Sequence, residues 1–313
     1  MSKKIAVIDL GTNTFNLLIA KFSSSDSFEK LFSNRIPVML GEGTINEGYL
    51  SDAAIERGVS ALKVFARNLS EQNVKKVKAL ATSAVRTARN AEFFLQRAKE
   101  ETGIEIEVIS GEQEAHFIYL GNAAAAELGE KNSLIMDIGG GSTEFIIANQ
   151  QGLIWKESFL LGAARLIHQF QPENPISKET ISSIEKHLEK ELNNLSEKMV
   201  QFPVHELIGS SGAFDSLAEM MEMNWEDAKN NNNGTCVQYD LSRYYKVAES
   251  IILSTREERV KMKGLIPMRV EMIVMAALLI NFVLKTFKIG NMRSTNWSLK
   301  EGVLIQLLRD ENN

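Results

Sequence analysis

Two carboxylate-bearing turns stand 128 residues apart (137 minus 9) in this 313-residue chain: DLGTNT at residues 9–14 and DIGGGSTE at residues 137–144. Three consecutive glycines suit neither a helix nor a strand, because glycine costs about 1 kcal/mol against alanine in a helix interior and weakens strand packing. A turn whose backbone amides converge can hold phosphate oxygens, and glycine both permits that conformation and removes the side chain that would block a ligand. Two such turns facing each other across a cleft would grip a phosphate chain from both sides. A carboxylate beside phosphate is repulsive unless a hard cation lies between them, which makes Asp9 and Asp137 candidate ligands of magnesium. Each is also a favoured residue of a tight turn, and Glu144 lies across the same turn from Asp137.

The elements that must position these residues are repeated. Sliding IAVIDLGTNTFNLLIA onto SLIMDIGGGSTEFIIA at the constant offset brings Asp9 onto Asp137, Gly11 onto Gly139, Ile19 onto Ile147 and Ala20 onto Ala148. Each copy reads as strand, short turn, strand, and alternating strand-like and helix-like segments follow both copies, the pattern of α/β domains. In the first half, residues 52–69 have helical spacing, KVKALATS reads as a strand, and a helix runs from Asn90 to a Gly103 stop. IEIEVIS is a further strand. Ser110 and Gln113 then stand at capping-box spacing and open a helix in which Glu114 occupies the first turn. In the second half we expect one long helical segment over 177–200, a strand at VHELIGSSG, a helix from Gly212, a loop over 224–239 that includes NNNNG, and a final helix opened by Ser298 and Glu301.

Composition bounds the alternatives. Lys plus Arg total 35 and Asp plus Glu total 40, so there is no global basic footprint for duplex nucleic acid. The amino terminus has no signal-peptide pattern, and the most apolar run, Met272 to Leu284, is 13 residues and falls short of the roughly 20 that span a bilayer. A cytoplasmic protein with no membrane partner is expected. One cysteine, Cys236, excludes an intrachain disulfide, and the four histidines show no metal-ligand spacing.

VIDLGTNTFNLLI, ATSAVRTARN, VISGEQEAHFIYLG, IMDIGGGSTEF, LLGAARL, LIGSSGAFDSLA, GLIPMRVEMIVMAALLI and SLKEGVLI occur in an order and spacing that resembles the exopolyphosphatase/guanosine pentaphosphatase family, over nearly the whole chain. That family belongs to the actin and sugar-kinase superfamily, which accounts for the internal duplication. The resemblance implies an α/β protein of two ribonuclease-H-like (actin-like ATPase) domains with a cleft between them. The expected division is 1–125 and 126–313, with the last helix, from about 299, returning to the first domain. It implies hydrolysis of terminal phosphoryl groups from inorganic polyphosphate, guanosine pentaphosphate or both, with no phosphoenzyme and with a homodimer left open.

Carried over residue by residue, the catalytic carboxylate falls on Glu114, which orients or deprotonates the attacking water. Asp137 and Glu144 match the acidic pair implied to hold magnesium and assist water activation, with Asp9 beside them as a further metal ligand. Gly11, Thr12, Asn13 and Thr14 match the first phosphate loop; Gly139, Gly140, Gly141 and Ser142 match the second; Arg86 matches a phosphate-facing cation. Residue type alone would leave Glu114 as a carboxylate favoured by the helix macrodipole and Arg86 as a solvated charge. Two departures stand out: His116 where the family often has arginine, and Lys300, a compact point charge in place of an arginine fork. The rival readings are a non-catalytic nucleotide- or polyphosphate-binding regulator and an ATP-dependent kinase on the same scaffold.

Overall fold

The computed structural model describes residues 4–22, 27–225 and 235–312. Its first half comprises β1 Lys4–Leu10, β2 Thr14–Phe22, β3 Phe28–Pro37, α1 Asp52–Glu71, β4 Lys76–Ala81, α2 Ser83–Thr87, α3 Ala91–Thr102, β5 Ile106–Val108 and α4 Gly111–Ala125. The strands form one sheet in the order β3-β2-β1-β4-β5, antiparallel through the β1–β2–β3 meander and parallel from β1 to β4 to β5. The capping signals act as the spacing predicts. Gly103 ends α3 at φ 70°, and Ser110 and Gln113 exchange both bonds of the capping box at the start of α4.

The second half repeats the plan: β6 Asn132–Ile138, β7 Thr143–Asn149, β8 Gly152–Phe159, α5 Ala163–Phe170, α6 Lys178–Glu191, α7 Asn193–Gln201, β9 Val204–Ser210, α8 Gly212–Asn224, β10 Cys236–Gln238, α9 Leu241–Leu253, α10 Arg256–Arg259, α11 Ile273–Thr286, β11 Met292–Thr295 and α12 Leu299–Asn312. Its sheet runs β10-β11-β9-β6-β7-β8. The apolar run from Met272 forms α11, with Ile273 through Ile280 all buried. Among the described residues no helix is long and apolar enough to cross a membrane.

Three apolar clusters show how the layers stack. One packs α1 and α3 on the outer face of the first sheet, and another packs α5 to α9 and α11 on the outer face of the second. The third joins inward side chains of both sheets (Ile5, Val7, Ile135, Ile146) to Ile118 of α4 and Val303 of α12, so these two helices lie between the sheets. Their crossing is close enough that a Cβ at Gly302 would fall 1.7 Å from the Phe117 carbonyl oxygen. The last helix therefore packs on α4 and β1.

Local expectation failed in three places. The helical run over 177–200 divides at Leu192, which stays fully buried at φ −92°, ψ 18° while Asn193 and Asn194 begin a new axis. Asparagine competes for backbone hydrogen bonds and breaks helices readily, and the core holds Leu192 while the chain turns. The strand expected over IEIEVIS shrinks to three residues, β5. The loop expected over 224–239 includes β10, an edge strand that pairs antiparallel with β11 and is too short to carry an alternating pattern. The rest of that loop, 226–234 with NNNNG, lies outside the described residues.

Candidate active site

The duplicated turns are superimposable in their bonding. Asp9 pairs with Asn16 across the β1–β2 hairpin, and Asp137 pairs with Glu144 across β6–β7. The Gly11 N–H donates to the Thr14 carbonyl at 3.1 Å, and the Gly139 N–H donates to the Ser142 carbonyl at 2.9 Å. Behind each turn a second segment ties back its carbonyls. Leu40 donates to Thr12, and Val38 and Met39 donate to Asn13; at the start of α5, Ala163 donates to Gly139 while Ala164 and Arg165 donate to Gly140. Because the two groups of a trans peptide point in opposite directions, tying back these carbonyls aims the N–H groups of Asn13, Thr14, Gly140 and Gly141 away from the supports. That is the geometry of an anion cradle.

The glycines serve a contact that residue type did not reveal. A Cβ at Gly140 would lie 2.3 Å from Asn13 Nδ2, and one at Gly141 would lie 2.7 Å from Thr12 Oγ1 and 2.6 Å from Ser83 Oγ. The loops of the two halves are thus pressed together, and their glycines are needed where they meet. Gly11 through Thr14, Gly139 through Ser142, and the carboxylates of Asp9, Glu114, Asp137 and Glu144 all line one cavity of about 160 Å³.

Each carboxylate is held by named partners. Asp137, 6% exposed, accepts from Ser210 Oγ at 2.8 Å and from Ser298 Oγ at 2.7 Å. Glu144, 1% exposed, accepts from Ser158 Oγ at 2.6 Å, and Asp9 accepts from Asn16 Nδ2 at 3.1 Å. Glu114 accepts from Arg86 Nη1 at 2.8 Å, and the same nitrogen donates to the Ile109 carbonyl at 3.1 Å. Arg86 is not among the lining side chains and reaches the cavity through Glu114.

Electrostatics follow from this crowding. Burial pushes Asp9 up to about 6, against the pull of Lys300 and the Asn16 hydrogen bond. Burial pushes Glu114 up to about 7, opposed by the Arg86 charge and hydrogen bond and aided by Asp9 and Asp137. Burial together with the charges of Glu114 and Asp137 drives Glu144 well above the usual carboxylate range, and burial raises Asp137 against the pull of the Ser298 and Ser210 hydroxyls. A set of buried acids that resist ionising together is one that gains from a cation.

Four cavity-lining side chains were not singled out from the sequence. Arg35 of β3 and Arg269, inside the GLIPMRVEM stretch, line the cavity with Asp215 and Ser83. Burial lowers Arg269 to about 10, and its Nε is buried with no partner among the described residues, as is Ser83 Oγ. Neither arginine carried a local signal, since a lone Arg on a strand or a short turn reads as a surface charge. Of the two departures, Lys300 lines the cavity with its Nζ 3.2 Å from Glu301 Oε2, and Glu301 also binds Lys30 at 2.9 Å. His116 packs beside Phe117 and Tyr119 instead, and burial followed by Lys156 and Arg309 holds it below the usual histidine range.

The profile of the Ppx/GppA phosphatase family matches residues 18–311. A Haemophilus influenzae protein that carries the provisional name exopolyphosphatase is 30% identical over 97% of this chain and 91% of its own length. A guanosine-5'-triphosphate,3'-diphosphate pyrophosphatase of Photobacterium profundum is 27% identical over 98% of this chain, which spans 60% of that protein's length. Among solved structures, an exopolyphosphatase from Cytophaga hutchinsonii superposes with a TM-score of 0.94 at 36% identity and covers 98% of each chain. The Aquifex aeolicus Ppx/GppA family member gives 0.79 at 27% identity over 100% of both chains. The mixed α/β architecture of two sheets is that of these structures, the actin-like ATPase fold.

Proposed function

The chain belongs to the Ppx/GppA phosphatase family, and from that premise we propose that it removes terminal phosphoryl groups from inorganic polyphosphate, guanosine pentaphosphate or both, in the cleft between its two sheets. The chain is a phosphoanhydride hydrolase. The observation that carries it is the pair of opposed, identically bonded turns with four carboxylates, three of them buried, around one cavity.

Water attacks the terminal phosphorus, a P–O bond forms, and the bridging P–O bond breaks toward the shortened chain. Glu114 accepts the proton of that water, and Arg86 keeps the carboxylate ionised for the purpose. The loop amides of Asn13, Thr14, Gly140 and Gly141, with Arg35, Arg269 and Lys300, face the phosphate charge. Positioning and charge neutralisation supply most of the acceleration, because the loose transition state needs little covalent help, and no phosphoenzyme forms.

Among the described residues no three or more Asp, Glu, His or Cys side chains are gathered into a metal cage. Magnesium does not require one, since it keeps several waters and is held through one or two carboxylates and substrate phosphates. Asp9, Asp137 and Glu144, gathered around one cavity and reluctant to ionise together, fit that demand. When bound, the ion neutralises phosphate charge. The test is orthophosphate release from polyphosphate and from guanosine pentaphosphate, side by side, across a magnesium titration. Release from at least one, dependent on magnesium, is expected; no release from either at any magnesium concentration overturns the proposal.

A further inference from the structure

Arg165, the third residue of α5, touches both halves of the molecule at once. Its backbone N–H donates to the Gly140 carbonyl at 3.1 Å and its Nε to the Gly141 carbonyl at 3.0 Å. Its Nη1 crosses the cleft and donates to the Ile45 carbonyl at 3.1 Å and to Asn46 Oδ1 at 3.0 Å. Asn46 returns the contact, its Nδ2 donating to the Arg165 carbonyl at 3.1 Å, and three residues further along α5 His168 Nε2 lies 2.9 Å from the Gly43 carbonyl.

We propose that Arg165 is a positioning residue that couples closure of the two halves to the shape of the second phosphate loop. The proposal rests on the assignment of this cleft to phosphoanhydride hydrolysis, and it concerns the control of that site. Holding the Gly141 carbonyl fixes the plane of the Gly141–Ser142 peptide, which sets the direction of the Ser142 N–H on the opposite side. The guanidinium is a rigid planar fork, so the position of Nη1 determines where Nε points. Nη1 is held by Ile45 and Asn46, which belong to the other half of the molecule. When the halves part, these partners withdraw, the fork loses its reference, and the loop loses the brace on Gly141. When they close, one group sets the loop and the interface together. The remaining nitrogen, Nη2, is buried with no partner, so nothing else among the described residues anchors the fork. A lysine keeps the charge but offers a single nitrogen that cannot serve Gly141, Ile45 and Asn46 together.

Asn46 is exposed and lies outside the cavity lining, so Asn46→Ala tests the coupling without disturbing the core or the phosphate loops. In the substrate-free protein, exchange of the 163–165 amides, which bond the Gly139 and Gly140 carbonyls, is expected to quicken on the order of tenfold in Asn46→Ala while exchange over β9 stays at the parental rate. With whichever phosphate chain the parent hydrolyses, Asn46→Ala and Arg165→Lys each raise KM more than they lower kcat. The double variant is no worse than Arg165→Lys alone, because both changes break the same link. Unchanged exchange over 163–165 in Asn46→Ala, or penalties that simply add in the double variant, overturns the proposal. Since the exchange measurement needs no substrate, a parent protein that releases no phosphate strikes the functional reading alone and leaves the coupling decided.

Discussion

Arg86 Nη1 donates to Glu114 Oε2 at 2.8 Å, tying the short helix after β4 to the first turn of α4 at the edge of the cleft. The contact sets two tendencies against each other. Burial drives Glu114 toward its neutral form, and the adjacent guanidinium draws it back to about 7. A carboxylate at that value is a usable proton acceptor near neutral pH, which surface glutamates, far more acidic, are not. Arg86, expected from the family pattern to meet phosphate, is in this structure the partner that tunes the carboxylate.

Replacing Glu114 with glutamine preserves size and much of the hydrogen bonding but removes the proton acceptor. The maximal rate is expected to fall about 100-fold or more, while magnesium-dependent binding of the phosphate chain persists or tightens. Steady-state kinetics and a binding titration on the same preparation decide it; a parental kcat would show that another group takes the proton.

The pH–rate profile should rise through an apparent value near 7 as Glu114 ionises. Removing the neighbouring cation in Arg86→Gln disfavours the charged carboxylate, so the rising limb is expected to move to higher pH. A limb that stays in place would detach Glu114 from the profile.

Stability should respond to the same acids. Asp9 is raised from 3.8 to about 6 and Glu114 from 4.5 to about 7, so the folded state binds these protons more tightly than the unfolded chain does. Their contribution is therefore complete below about pH 4 and is lost as pH rises through about 6 to 7, the sign opposite to that of a salt-bridged carboxylate. Thermal melts without magnesium are expected to show a fall in Tm over this window that is smaller in Asp9→Asn than in the parent. Equal slopes would mean that Asp9 titrates in the fold as it does in the unfolded chain.

Gly140→Val places its Cβ where Asn13 now lies, since even a bare Cβ there comes within 2.3 Å of Asn13 Nδ2. The Asn13 side chain must then turn aside, which disturbs the meeting of the two loops. Loss of phosphate-chain binding is expected with the circular dichroism spectrum and two-state melt retained, and calorimetric titration with polyphosphate reads it. Parental affinity in the folded variant would remove the loops from the binding site.

Ser83 Oγ is buried, lines the cavity and has no partner among the described residues. A hydroxyl so placed costs stability unless a ligand satisfies it. In Ser83→Ala the free protein should be as stable as the parent or slightly more so, while KM rises about tenfold, the worth of one hydrogen bond to a charged group. A destabilised protein with unchanged KM would reverse both halves of this expectation.

Much of this protein is written locally. The repeat at an offset of 128, the capping box at Ser110, the Gly103 stop and the buried run of α11 are decided by residues a few positions apart, and the sequence alone established each. The two turns were legible for the same reason: Asp137 and Glu144 sit seven residues apart on one hairpin, and hairpin register is a local property. Tertiary structure decided what those turns face. Asp137 takes Ser298 from 161 positions away, Glu301 takes Lys30 from 271, and Arg165 takes Asn46 from 119. Such partners share no period or spacing with the residues they serve. The first two pairs meet because α12 packs with α4 between two sheets and the third because α5 packs against residues 45–47, and such packing is driven by apolar area, which is non-directional and leaves no mark on the polar residues it brings together. The same physics explains why Gly140 and Gly141 read as room for a ligand when they also make room for the opposite loop: the need for a missing side chain is local, and the identity of what fills the space is not.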